Sequence, residues 1–322
     1  MEIDVLGEPY QQMSIDLGTD DEGAVRATLI RRLAGTLDGR AVLYIHGFTD
    51  YFFQTHLADF YCALGIDFYA IDLRKHGRSL DPHQTPNYIA DVSDYFVELD
   101  AALDIIRGVD GHTKVLVNGH STGGLIAALW ADRRKDDGVL DAVFLNSPFF
   151  EFNVPAAMRG VLGPTFATVA RTKPYALVPA GLNEVYGRTI HRDYAGEWDY
   201  NLEWKPLAGF PIRAGWLTAI RHAHTELHHG LDIRVPVLIG SSDTAYRRST
   251  WSDAAHDADA VLDPEHMRRW GPGIGRHVTL IQFAGARHDV VLSRKPVRDR
   301  VFSELATWTG AYFPASDRRP AV

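Results

Sequence analysis

The chain has 322 residues, 46% hydrophobic and 23% charged, and a net charge of -8. That balance excludes a disordered or fibrous chain and leaves no basic footprint for nucleic acid or an anionic membrane surface. A single cysteine, Cys62, excludes an intrachain disulfide and fits a reducing, cytoplasmic setting. The opening MEIDVLGEPYQQ lacks a basic stretch followed by an apolar one, so no signal peptide is expected. No run approaches the roughly 20 apolar residues of a membrane span, so no stable membrane anchor is expected. The sequence carries no signal for an oligomeric state.

Residues 11–17 and 24–33 alternate apolar and polar positions around GTDDEG, which predicts an antiparallel hairpin. Six short runs rich in Val, Ile, Leu and aromatics follow: 41–47, 67–73, 114–120, 142–148, 235–241 and 277–283. Being apolar on both faces, they suit parallel strands covered on both sides. Helix-length segments at 53–64, 90–107, 122–134 and 295–313 separate most of them. The alternation predicts a doubly wound, mostly parallel α/β sheet.

One connection breaks the rhythm. Residues 149–234 carry Phe149, Phe150, Phe152, Phe166, Tyr175, Tyr186, Tyr194, Trp198, Tyr200, Trp204, Phe210 and Trp216, far too many aromatics for a linker. An inserted cap over 150–229 is expected, with residues 1–149 and 230–322 forming the core. The cap would lie over the carboxyl ends of the strands, where open α/β sheets bind ligands.

Gly119-His120-Ser121-Thr122-Gly123 falls between a predicted strand and a predicted helix. A serine there sits on a tight, strained turn that needs small neighbours, and the next helix aims N–H groups at its hydroxyl. Ser121 is therefore the candidate nucleophile. An alcohol needs a base and donors for the oxyanion it creates. Tyr44-Ile45-His46-Gly47-Phe48 follows the first core strand, so the backbone N–H groups of Phe48 and Thr122 are the candidate oxyanion hole. His288, in FAGARHDVVLS after the last strand, is the histidine placed to reach back over the sheet edge.

The acid is less direct. Asp243 closes a strand but stands 45 residues before His288, whereas one helix, one strand and two turns need roughly 25–30. Asp259 stands 29 residues before it. Asp259 is preferred, with 244–258 as a looped-out insertion; Asp243 and Asp257 are the alternatives. Asp263, followed by Pro264, has the pattern of a helix N-cap.

YIHGF, the Asp72–Ser79 loop DLRKHGRS, GHSTGG, DAVLDPEHM and GARHD together resemble an α/β-hydrolase, within the group of monoacylglycerol lipases and lysophospholipases. The resemblance spans most of the core. It implies Ser121, His288 and Asp259 as the catalytic triad, Phe48 and Thr122 as oxyanion donors, a small-molecule ester substrate and no cofactor or metal. The long stretch between Gly240 and Asp259 departs from that group's pattern. Relatives that open epoxides or haloalkanes place an aspartate where Ser121 stands.

Other features read as structural. Asp72 and His76 are expected to shape a loop, and Asp289 to fix the turn after His288. His224 and His228 have i, i+4 spacing but no H-E-x-x-H, and read as part of a solvated helix. Gly271, Gly273 and Gly275 precede a strand rather than follow one, which disfavours a dinucleotide loop. Phe52 and Phe53 look exposed after the oxyanion loop and suggest a hydrophobic acyl or aryl ester. Thioester, amide or carbon–carbon cleavage, perhydrolysis, or ligand binding without catalysis are the other chemistries the fold hosts.

Overall fold

The computed structural model describes residues 1–36, 38–153, 167–179 and 181–315; Phe166 lies outside them. A nine-stranded sheet organises the chain. Its strands are β1 (Glu2–Ile3), β2 (Gln11–Asp20), β3 (Gly23–Arg32), β4 (Arg40–Ile45), β5 (Asp67–Asp72), β6 (Lys114–His120), β7 (Ala142–Asn146), β8 (Val237–Ser242) and β9 (Val278–Phe283). Their spatial order is β1-β2-β3-β5-β4-β6-β7-β8-β9. The β1–β2, β2–β3 and β3–β5 pairings are antiparallel, and every pairing from β5 onward is parallel.

The predicted hairpin is β2–β3, and all six apolar runs are strands. In β4 the side chains of Ala41, Leu43 and Ile45 enter one core layer, and those of Val42 and Tyr44 enter the other. That period-2 division is why the run is apolar throughout. One layer lies beneath α2 (Asp94–Asp104), α3 (Thr122–Arg133) and α5 (Ala214–His228); the other lies beneath α1 (Thr55–Ala63) and α7 (Lys295–Tyr312). No helix among the described residues is long and apolar enough to cross a membrane.

The connection from β7 to β8 carries α4 (Glu184–Ile190) and α5. Trp216, Ala219, Ile220, Ala223 and Leu227 of α5 belong to the main core layer. The stretch before α5 lies on the loops at the carboxyl edge. Trp198 stacks on His56 at 4.2 Å, and its Nε1 donates to the carbonyl of Leu292 at 3.0 Å.

Two expectations are corrected here. Phe52 and Phe53 are buried, at 0% and 6% exposure. Phe52 packs against Tyr44 and Phe68, and Phe53 against Tyr200. They turn inward because the Phe52 N–H is held by Asp72 Oδ1 at 2.8 Å. The helix of His224 and His228 is not solvated on that face. Their Nε2 atoms bond the carbonyls of Phe149 and Phe150, each at 2.7 Å, satisfying backbone that leaves β7 without a ladder partner. Burial pulls the His224 imidazole down to about 3.

Candidate active site

β6 runs into α3 through Ser121, whose backbone sits at φ 53°, ψ -117°. For a residue with a Cβ that is a strained conformation. The flanking glycines make it possible. A Cβ on Gly119 would lie 2.5 Å from the carbonyl oxygen of Gly123, and one on Gly123 would lie 2.3 Å from the carbonyl oxygens of Ile45 and His46. The turn is thus pressed against the end of β4. Neighbouring β7 pins it as well, since the Ser121 N–H donates to the carbonyl of Asn146 at 3.0 Å.

The hydroxyl of Ser121 lies 2.9 Å from His288 Nε2. His288 Nδ1 lies 2.9 Å from Asp259 Oδ2. Asp259 is fully buried, and its Oδ1 accepts the N–H groups of Val261 and Leu262 at 2.8 and 2.7 Å. A carboxylate held this way fixes the imidazole proton on Nδ1 and leaves Nε2 free to accept the serine proton.

Asp259 arrives by a detour. After β8 the chain leaves the sheet, forms a single 3₁₀ turn at Asp253–Asp257, and returns. The Asp259 N–H donates to the Thr244 carbonyl at 2.8 Å, and the Tyr246 N–H donates to the Asp259 carbonyl at 2.7 Å. Both bonds clamp Asp259 beside the strand end it left. Asp243 is exposed and takes only a long bond from the Gly285 N–H. Asp257 pairs with Arg294 on the surface. Neither enters the site. Asp263 caps α6 (Pro264–Trp270), accepting the Glu265 N–H.

Phe48 and Thr122 line the same pocket as Ser121 and His288. Thr122 is the first residue of α3, so its N–H has no acceptor within the helix. His46 braces the loop before Phe48. Its Nε2 accepts the Leu73 N–H at 3.0 Å, which puts the ring proton on Nδ1, 2.8 Å from the Gly47 carbonyl. Burial holds His46 and His76 below the usual histidine range. Asp72 ties this loop to the next one through the N–H of Arg78 at 3.0 Å and its guanidinium at 2.8 Å.

The sequence does not announce three further groups. Asn146, at the end of β7, donates to Asp289 Oδ1 at 2.7 Å and accepts the Val290 N–H at 3.1 Å, fixing the turn beside His288. Its position directly after an apolar strand is the one available signal. Tyr186 sets its ring edge-on to His288 at 5.4 Å, and burial keeps its phenol protonated. Lys205, 7% exposed, pairs with Asp50 at 2.8 Å on the pocket wall.

The loop after β4 holds the inserted segment at three consecutive residues. Thr49 Oγ1 accepts the Phe210 N–H at 3.1 Å, Asp50 takes Lys205, and the Tyr51 phenolic oxygen accepts the Asn201 N–H at 2.7 Å. Above Ser121 these elements enclose a cavity of about 230 Å³, walled largely by apolar groups such as Phe48, Phe149, Leu207, Ile212 and Trp216.

The family model Hydrolase_4, described as "Serine aminopeptidase, S33", matches residues 39–294. Solved structures share the fold. A soluble variant of monoglyceride lipase from Saccharomyces cerevisiae, in complex with a substrate analog, superposes with a TM-score of 0.66 at 17% identity, over 92% of this chain and 94% of that one. Monoacylglycerol lipase of Paleococcus ferrophilus gives 0.62 at 17% identity, over 94% and 99%. Est1E of Butyrivibrio proteoclasticus, with ferulic acid bound, gives 0.54 at 17% identity, over 91% and 99%.

Proposed function

The chain belongs to the Hydrolase_4 family, serine aminopeptidase, S33, and on that premise we propose that it hydrolyses a carboxylic ester through an acyl-enzyme. Ser121 is the nucleophile. His288 Nε2 removes its proton as Oγ attacks the acyl carbonyl. Asp259 orients the ring and stabilises the imidazolium. The Phe48 and Thr122 N–H groups hold the oxyanion. His288 returns the proton to the departing alcohol, and water, activated by the same base, then releases the acid.

The observation that carries this reading is the unbroken Ser121–His288–Asp259 chain at 2.9 and 2.9 Å beneath an apolar cavity. An apolar wall favours a hydrophobic acyl group, of the kind found in monoglycerides and lysolipids. The described residues of the insertion ahead of α5, among them Leu182, Tyr186, Leu207 and Ile212, serve as the cap over it, while α5 packs in the core, and the single cysteine fits a cytoplasmic site of action. Cleavage at a peptide N-terminus is the less favoured reading, because an α-ammonium needs a carboxylate to receive it. Asp50, on the pocket wall, is already neutralised by Lys205.

A series of p-nitrophenyl esters from acetate to palmitate tests the proposal. Wild type is expected to cleave them, with chain-length preference reporting pocket depth. Ser121→Ala is expected to lose roughly 10⁴-fold or more in kcat/KM and to stop labelling with a fluorophosphonate probe. Labelling of wild type without ester cleavage would redirect the reading to another acyl bond. No labelling at all would indicate a binding protein.

A further inference from the structure

Among the described residues that line the cavity above Ser121 there is one lysine or arginine, Lys205, and one carboxylate, Asp50. Lys205 Nζ lies 2.8 Å from Asp50 Oδ1. Three rings stand around the same ammonium. The ring centroids of Phe53 and Tyr186 lie 5.8 Å from it, and that of Tyr200 lies 5.9 Å away. Tyr186 also sets its edge against His288 at 5.4 Å. The group of rings therefore adjoins the base that hands its proton to the departing alcohol.

A lysine is rarely buried without a partner, because its ammonium is strongly hydrated. Lys205 is buried all the same. What replaces its water is one carboxylate and three aromatic rings, the surroundings by which proteins hold a foreign ammonium. The rest of the cavity wall is largely apolar and offers such a cation no second carboxylate. The turn that carries Lys205 is fixed by backbone rather than by the ion pair. The Lys205 N–H donates to the Asn201 carbonyl at 3.0 Å, and the Asn201 N–H donates to the Tyr51 phenolic oxygen at 2.7 Å. The side chain is thus an ammonium delivered on a fixed arm into a setting that would hold another in its place.

We propose that Lys205 is a specificity-determining residue, the built-in occupant of an ammonium cage walled by Asp50, Phe53, Tyr186 and Tyr200. With the cage filled from within, the site takes esters of uncharged alcohols and rejects esters of cationic amino alcohols. The selectivity rests on the ester reading above; the cage itself does not. Emptying the cage leaves Asp50 buried and unpaired, which destabilises the fold until another cation enters.

Two esters of one shape test it on the whole chain: butyrylcholine and 3,3-dimethylbutyl butyrate, in which carbon replaces the cationic nitrogen. Wild type is expected to favour the uncharged ester in kcat/KM by about tenfold or more. Lys205→Ala is expected to raise the butyrylcholine share of that ratio about tenfold, and choline chloride is expected to raise the Tm of this variant but not of wild type, against sodium chloride at matched ionic strength. Lys205→Met refills the cage with an uncharged chain and is expected to keep the wild-type ratio. Adding Asp50→Asn to Lys205→Ala is expected to cancel the gain. Parity between the two esters in wild type, or a ratio unchanged in folded Lys205→Ala, overturns the proposal. If Lys205→Ala does not fold, the wild-type ratio decides alone. If neither ester is cleaved by wild type or variants, the ester reading fails, and the choline-induced rise in Tm then decides the cage by itself.

Discussion

The turn at Gly119–Gly123 and the detour at 243–258 each deliver one residue to the same site, by opposite means. The turn does it within five residues, through contacts so close that a single added Cβ would sit 2.3 Å from two carbonyl oxygens. The detour wanders through exposed residues and recovers its position only at the end, where two backbone bonds return Asp259 to the edge of β8. Steric necessity over a short span leaves a pattern that can be read. A long excursion leaves only its length.

The contrast can be broken at either end. The largest effect is expected at the returned acid. Asp259→Asn, which keeps the shape but allows the wrong imidazole tautomer, is expected to cost roughly 10⁴-fold in kcat, measured on the preferred ester at constant pH. If the detour were instead a spacer around an acid at β8, Asp243→Asn would carry that loss. At the turn, Gly123→Val must push apart β4 and α3. A destabilisation of about 3 kcal/mol or more is expected, read from urea unfolding, and Ala at the same site is expected to cost less but in the same direction.

A buried histidine sharpens the comparison from the stability side. His224 is neutral in the folded state, with a folded pKa of about 3, and titrates near 6.5 when unfolded. Its folded value is depressed, so its contribution is complete above the unfolded value and is lost as pH falls from 6.5 toward 3. The expected slope is about 1.4 kcal/mol per pH unit. His224→Gln is expected to flatten the acid limb of the stability curve between pH 6 and 4, whatever it does at neutral pH. The smallest effect is expected at Asp243→Asn. With the residue exposed and weakly bonded, kcat/KM is expected to stay within about twofold.

The fold was legible because most of its strands are buried on both faces. The run AVLYIHG is apolar at every early position since β4 feeds two core layers at once. Ser121 and His288 could be located because each follows a strand directly. The fate of Phe52 and Phe53 was not legible. A pair of phenylalanines in a polar loop gives no sign of direction, and the bond from the Phe52 N–H to Asp72 is what turns the loop inward. His224 and His228 misled for a related reason: helical spacing defines a face, but not that the carbonyls of Phe149 and Phe150 lie against it. The Asp50–Lys205 pair joins residues far apart in the chain, with nothing local in either to mark the other.

The three successive bonds from Thr49, Asp50 and Tyr51 to the inserted segment have a mechanical consequence. Phe48, on the cavity wall, and the roof of that cavity are hinged on the same few peptide units. A guest too bulky for the chamber would lift the roof and, through that hinge, drag Phe48 out of alignment with Ser121. Misfit would then be punished twice, once in docking and once in turnover, so that discrimination between esters is steeper than the fit of the chamber alone would give.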